Sequence, residues 1–187
     1  MKSNKRKAAA AFTLVELLAV VIIIIMLFGM VVGGLKYAQD KQANEKTRVQ
    51  LARIGNAIEN YKLDKGLYPV TTDGDGSGNS NELFKSLYWD SDDDGVGADT
   101  DDDQKVYMSE LDPKNKKLGW LDGTSASDYK IIDAWSNEIH YRSGKDSNGD
   151  NNTSAINPDF DLWSPGKDGS TKDDPKSPAN RDDLKNH

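Results

Sequence analysis

Hydrophobic and polar positions divide this chain into two parts. From Phe12 to Leu35 almost every residue is apolar, whereas beyond Leu35 the sequence is mostly polar and acidic. An apolar run of ~20 residues is long enough to cross a bilayer as a helix. The basic residues ahead of it (Lys2, Lys5, Arg6 and Lys7) predict a cytoplasmic N-terminus and a C-terminal body on the far side of the membrane. An ordinary secretory signal has an apolar region of only ~7–15 residues, shorter than this one. A plain signal anchor fits the pattern as well.

The helical pattern continues beyond the apolar run. No Pro occurs from Tyr37 to Tyr61, and Leu51, Ile54, Ile58 and Tyr61 recur at helical spacing, which places them on one face. Arg48, Gln50, Arg53 and Glu59 fall mostly elsewhere around that helix. Gly33-Gly34 predicts a bend or break, since each Gly costs ~1 kcal/mol against Ala in a helix; close packing explains the pair equally well. Gly66 predicts the helix end, with Lys62 and Lys65 suited to its negative pole. Further on, Asn81–Tyr88 reads as a short helix with Leu83, Phe84 and Leu87 on its apolar face. Tyr129–Asp133 and Glu138–Arg142 read as β-strands joined by a turn at Ala134-Trp135-Ser136-Asn137, and Phe160–Trp163 as a third strand.

Composition narrows the functions. A length of 187 residues suits one modest domain plus an appendage. The formal charge of −7 becomes −11 without the four basic residues ahead of the apolar run. So acidic a body argues against nucleic-acid binding, which needs basic patches to neutralise phosphates. It fits a solvated surface or a cation binder. With no cysteine, disulfides and thiolate chemistry are excluded, and bound metal is the usual substitute staple for a small core.

The same residues argue against an enzyme. Only His140 and His187 are available as imidazole bases, and His140 sits between Ile139 and Tyr141 in a predicted strand, where a structural role is expected. No glycine-rich phosphate loop follows a strand. The carboxylates lie in Gly- and Asn-rich loops, a solvated setting unlike a desolvated acid/base pair.

Those loops suggest a cation. Asp90–Asp103 holds eight Asp in fourteen residues. Asp90, Asp92, Asp94 and Gly95 match the start of a calcium loop, with the Val96 carbonyl and the Asp101 carboxylate as further ligands. A solvated acidic loop is the alternative. Asp73, Asp75 and Ser77-Gly78, and likewise Asp146, Asn148 and Asp150, are weaker versions that suit plain turns.

Glu16 is the one ionisable side chain between Phe12 and Leu35. A carboxylate in hydrocarbon costs on the order of 2.5–3.5 kcal/mol on insertion scales, so it usually has a partner or a function, unless it snorkels to the interface. Ala11-Phe12-Thr13-Leu14-Val15-Glu16-Leu17-Leu18 resembles the prepilin cleavage signature of the type IV pilin-like superfamily. The resemblance implies cleavage between Ala11 and Phe12, N-methylation of Phe12, and pairing of Glu16 with the Phe12 amine of a neighbouring subunit. The family normally has Gly where Ala11 stands. Tyr61-Lys62-Leu63-Asp64-Lys65-Gly66-Leu67-Tyr68-Pro69 is similar to the helix exit of the major pseudopilins of type II secretion systems. Asp133-Ala134-Trp135-Ser136-Asn137-Glu138-Ile139-His140-Tyr141 resembles their Asp-Pro-Trp-Gly-Asn-Pro hairpin, with Ala for Pro and Ser for Gly.

A calcium loop near the C-terminus is also implied by this resemblance. Ser164-Pro165-Gly166-Lys167-Asp168-Gly169, followed by Asp182-Asp183-Leu184-Lys185-Asn186, is similar to that loop. Carried over, Asp168 and one or both of Asp182 and Asp183 are side-chain ligands and the Pro165 carbonyl is a backbone ligand. Ser177 stands as the hydroxyl ligand only loosely, because the spacer is longer here, and His187 replaces the usual terminal Trp.

The resemblance therefore implies an α+β, type IV pilin-like fold: a long N-terminal helix on a small antiparallel β-sheet with a calcium-binding C-terminal loop. Residues 1–11 would be a basic prepilin leader and 12–35 the transmembrane and filament-core helix. Residues 36–187 would be a periplasmic head, comprising an amphipathic helix (36–64), a variable acidic region (65–128), and the sheet with its calcium loop (129–187). The implied function is structural: a subunit held in the bacterial inner membrane that forms a periplasmic pseudopilus driving protein export. Its implied partners are copies of itself, minor pseudopilins, the prepilin peptidase/methyltransferase, the inner-membrane assembly platform, and membrane lipid before assembly. A type IV pilin for adhesion, motility or DNA uptake, and a membrane-anchored calcium-binding protein, are the rival readings.

Overall fold

The computed structural model describes residues 13–70, 80–88, 105–114, 116, 118–125, 127–146, 148–172 and 177–185. Helix α1 spans Leu14–Lys65. The chain divides after Lys41 into two compact units, and α1 contributes to both.

In the first unit the described large apolar side chains of the helix are exposed. Leu14 is 79% exposed and Ile22 46%. This stretch is long and apolar enough to cross a membrane. The break expected at Gly33-Gly34 is absent: helix α1 runs through both residues. A side chain built at either would meet nothing within 4 Å, so no contact with another described residue of the chain requires the glycines. Their cost is absorbed within a helix that continues for many turns on both sides.

In the second unit α1 covers a small core. Leu51, Ile54, Ala57 and Ile58 are buried along one face, with Tyr61 packed beside them. Full burial of each large aliphatic is worth ~1.5–3 kcal/mol, so this face anchors the helix. Gln50, read as lying mostly off the apolar face, is nevertheless buried. It is 1% exposed, because its Nε2 donates to the carbonyl of Ile132 at 2.8 Å. One turn earlier, the buried Thr47 hydroxyl accepts from the Ala134 N–H at 3.2 Å. These two polar contacts fasten the helix to the turn region around residues 132–137.

Gly66 ends α1, as the sequence predicts. Its φ of +79° turns the chain out of the helix while its N–H still donates to the Lys62 carbonyl at 2.8 Å. The exit is pinned from both sides. Tyr68 donates its hydroxyl to Glu59 at 3.1 Å and accepts from Lys62 at 2.8 Å, and the Pro69 carbonyl accepts from the Tyr141 hydroxyl at 2.8 Å.

Helix α2 spans Ser80–Leu87, one residue earlier than the pattern suggests, with Leu83, Phe84 and Leu87 fully buried. Five short strands follow: β1 (Leu121–Asp122), β2 (Lys130–Ile131), β3 (His140–Ser143), β4 (Phe160–Ser164) and β5 (Leu184–Lys185). All pairs are antiparallel. They form a two-stranded sheet β1-β2 and a three-stranded sheet β3-β4-β5.

The hairpin expected over 129–142 is kept only at its turn. Ile132 and Glu138 form a bridge, and the Asp133 N–H donates to the Asn137 carbonyl at 2.8 Å. The flanking segments then part, β2 to pair with β1 and β3 to pair with β4. The third predicted strand is the central one, and all five residues of β4 are buried. Tyr141 of β3 and Leu162 of β4 face each other in the register and are both fully buried, with Leu184 of β5 also in the core.

Candidate functional site

Two constellations carry the chemistry that the sequence suggests. The first is at the start of α1. Ala11 and Phe12 lie outside the described residues. Glu16 does not stand alone in the apolar segment. Its Oε2 accepts from the Thr13 N–H at 2.9 Å and the Thr13 hydroxyl at 2.8 Å, while the Glu16 N–H donates back to Thr13 Oγ1 at 3.3 Å. This is a capping box, which satisfies otherwise orphaned donors at a helix start. Its signal in the sequence is Thr13-Leu14-Val15-Glu16, a Thr-x-x-Glu ahead of an apolar run.

The second constellation gathers at the end of β4. The Asn137 amide donates to the Gly166 carbonyl at 2.7 Å, tying the turn after β2 to the loop after β4. Gly166 has a φ of +69°, and a Cβ there would come within 2.2 Å of the Asp182 carbonyl oxygen. Only glycine allows the two segments so close. Across this contact the Asp168 N–H donates to Asp182 Oδ2 at 2.9 Å, and Asp168 Oδ1 accepts from the Ser170 N–H at 2.8 Å.

Asp183 is the deepest of the three carboxylates. Its side chain is 0% exposed, and its Oδ2 meets the Thr171 hydroxyl at 3.3 Å and Lys185 Nζ at 3.8 Å. Its Oδ1 has no hydrogen-bond partner. Burial pushes the Asp183 carboxyl above its ordinary value; Lys185 and Thr171 pull it down, and the charges of Asp182 and Asp168 push it up again. The loop is closed by Asn180, whose side chain accepts from the Lys172 N–H at 2.8 Å and donates to the Lys172 carbonyl at 2.7 Å.

Asp168, Asp182 and Asp183 thus lie in one loop region, with Pro165 buried beside Gly166. Ser177 points its chemistry elsewhere, since its hydroxyl accepts from the Ala179 N–H at 3.4 Å and caps the 3-10 turn Pro178–Asn180. Thr171 supplies the nearby hydroxyl instead, and nothing in the sequence pattern singles it out. Among the described residues no group of three or more His, Cys, Asp and Glu side chains is arranged to hold a metal. The residues fit a hard cation in one respect, the orphaned buried oxygen of Asp183, which calls for a positive partner. Calcium also takes carbonyl and hydroxyl oxygens, so a full side-chain cage is not required.

The other acidic candidates separate cleanly. Asp90, Asp92, Asp94, Val96 and Asp101 lie outside the described residues, as do Asp73 and Asp75. Asp146 makes a plain turn, its Oδ1 accepting from the N–H groups of Asn148 and Asp150, both at 2.9 Å. His140 is largely buried, its ring stacked on Trp163 at 5.1 Å, and burial lowers its pKa. The ring packs as part of the sheet.

Comparison with known proteins adds an independent line. Over 71 residues the chain is 34% identical to the type II secretion system core protein G of Vibrio cholerae, covering 38% of this chain and 49% of that protein. It is 33% identical over 70 residues to the core protein G of Klebsiella michiganensis, and 31% identical over 70 residues to that of Aeromonas hydrophila, at 37% of this chain and 49% of the relative in each case. The chain thus spans about half the length of the curated relatives it matches. No family model and no solved structure matches it.

Proposed function

We propose that this chain, α+β in fold and similar over about half of their length to the core protein G subunits of type II secretion systems, is a pseudopilin, a structural subunit which assembles through its N-terminal helix into a periplasmic pseudopilus. The observation that carries this reading is the division of α1. Its first part is apolar and uncovered, while its second part is fastened into a folded head. A helix of that kind needs lipid or other helices around it, and a filament core supplies the latter. None of the relatives is named for a catalytic activity, which agrees with a structural role and not an enzyme.

In this reading the subunit waits as a single-pass protein of the inner membrane, with its head in the periplasm. A prepilin peptidase/methyltransferase removes the residues before Phe12 and methylates the new amine. The platform in the inner membrane then draws subunits into the filament beside minor pseudopilins. Glu16 sets the register. In the single chain its carboxylate is held by Thr13, and in the filament the Phe12 ammonium of a neighbour becomes the stronger, oppositely charged partner. A buried ion pair is tolerated where either charge alone is strongly disfavoured. Calcium belongs to the same proposal: Asp168, Asp182, Asp183 and the Pro165 carbonyl would hold the ion. Bound there, the ion supplies positive charge to a cluster of carboxylates and clamps the C-terminal segment against β4.

The test is Glu16→Leu in the full-length chain, co-expressed with its secretion machinery. Fibres should be lost or strongly reduced while the protein remains in the membrane at normal level. Mass spectrometry of the native N-terminus should give a product beginning at N-methyl-Phe12. Fibre yield unchanged by Glu16→Leu, or a chain still carrying Lys2, would defeat the reading.

A further inference from the structure

Beside the head part of α1, where it faces β4 and β5, lies an open groove of about 450 Å³. Leu51, Phe160 and Leu184 give it an apolar lining. Ala52 and Gly55 keep the helix wall low, and Gly55 is unexplained by the fold of its own chain. A Cβ placed there meets nothing within 4 Å, yet glycine weakens a helix interior relative to alanine. Close approach of another backbone is a common reason for such a glycine. Arg48 and Lys185 add two basic groups to the lining, against the single carboxylate of Glu59.

The head also presents a feature of matching chemistry. Ile156 is 60% exposed, on a loop whose backbone is pinned from beneath. Asp161, 1% exposed, accepts from the N–H groups of Ile156 at 2.8 Å and Asn157 at 2.9 Å. A side chain shown on a fixed backbone has little ordering entropy left to lose on docking. The loop between β3 and β4 carries Asp146, Asp150 and Asp159 against Lys145 alone, with Asp159 3.8 Å from Lys62, so a net acidic knob is opposite in sign to the small net positive charge of an otherwise apolar groove, in which Arg48 is the basic group not already paired with a carboxylate.

We propose that this groove receives the Ile156 loop of a second copy of the chain, making a head-to-head contact separate from the packing of the apolar helices. The inference rests on the reading of the chain as an assembling subunit, and its test can fail without that reading. The natural chain has no cysteine, so a pair can be introduced cleanly. Ala52→Cys with Ile156→Cys, in the full-length chain in its own membrane, should give disulfide-linked dimers and higher species on mild oxidation. Either cysteine alone should not. Adding Gly55→Leu, which fills the groove and strengthens the helix, should abolish the linked species with circular dichroism unchanged.

Monomer bands alone, whether solvent or the chain's own residues fill the groove, overturn the proposal. So do linked species that persist with Gly55→Leu. Glu16→Leu in the same background separates the two ideas. Fibres that need Glu16 but form normally with Gly55→Leu sink the docking contact and leave the filament standing. Linked dimers that need an open groove, in a chain whose fibres ignore Glu16, do the reverse.

Discussion

The carboxylate of Asp133, 3% exposed, accepts three hydrogen bonds: from the Trp135 N–H at 2.8 Å, the Asn137 N–H at 2.9 Å and the Ser164 hydroxyl at 2.6 Å. It holds the turn after β2 and joins it to the end of β4. Asp133→Ala leaves the buried Ser164 hydroxyl and two half-buried N–H groups without this acceptor, and a loss of about 3 kcal/mol is expected, since bonds to charged groups contribute ~1.5–3 kcal/mol and unmet buried donors cost more. The urea midpoint of the detergent-solubilised chain checks it. Asp183 should behave in the opposite way. Its carboxyl is raised in the folded state, so between the ordinary value of 3.8 and the raised one the folded chain binds more protons than the unfolded chain. Stability then falls as pH rises through that interval and stays lower above it. In EGTA at neutral pH, Asp183→Asn should therefore raise the melting temperature by a few degrees, and in saturating calcium it should lower it. An identical shift in both conditions would remove calcium from this loop. Of these residues, Asp183 is legible by its motif. Thr13 as the partner of Glu16 is legible too, but the charge of Glu16 masks its capping role.

Helix α1 is the most readable element, because a long apolar run and a later 3–4 spacing are both strong periodic signals. The departures within it have local causes. Gly33-Gly34 lowers helix propensity without ending a 52-residue helix, and Gln50 is buried because a backbone carbonyl on a distant segment needs its amide. No periodicity encodes such a partner. Strands β1 and β5 contain two residues each, too few to show an alternation. The apparent hairpin misleads for a related reason: β-prone residues mark strands but do not name the strand they pair with. Gly66 is the position where the element ends for a reason visible in both sequence and structure. A side chain there meets open space, so Gly66→Ala isolates the backbone term of a φ at +79°. A destabilisation of about 1–2 kcal/mol is expected by thermal melting, the usual penalty of a left-handed residue. Gly33→Ala with Gly34→Ala strengthens a part of α1 that holds no core residue, so the head should melt at the same temperature while helix content by circular dichroism does not fall.

At the scale of the whole molecule, among the described residues the hydrophobic core lies between Leu51 and Leu184, with none of it between Leu14 and Lys41. The hydrophobic side chains of the chain thus serve two solvents. Those of the first unit are satisfied only by lipid or by other helices, and those of the second by one another. The sequence shows this division, since apolar density drops sharply after Leu35, but it does not show how little sheet the head needs. Side-chain bonds such as those of Gln50, Asp133 and Asn137 replace long strand ladders, and such bonds leave no pattern along a chain. The division leads to a direct expectation. A fragment of residues 42–187 retains the helix face that covers the core, both sheets, and the Asp168–Asp182–Asp183 loop, and loses no residue of the hydrophobic core. Its size lies in the ordinary range of single domains. The fragment should be soluble and monomeric at micromolar concentration by light scattering, and should melt cooperatively. It should not form fibres, because the apolar helix is gone. Any head-to-head contact would be weak without the helices to raise its local concentration. A fragment that aggregates, or melts without a transition, would mean that the head depends on residues before Gln42, contrary to a core drawn entirely from beyond them.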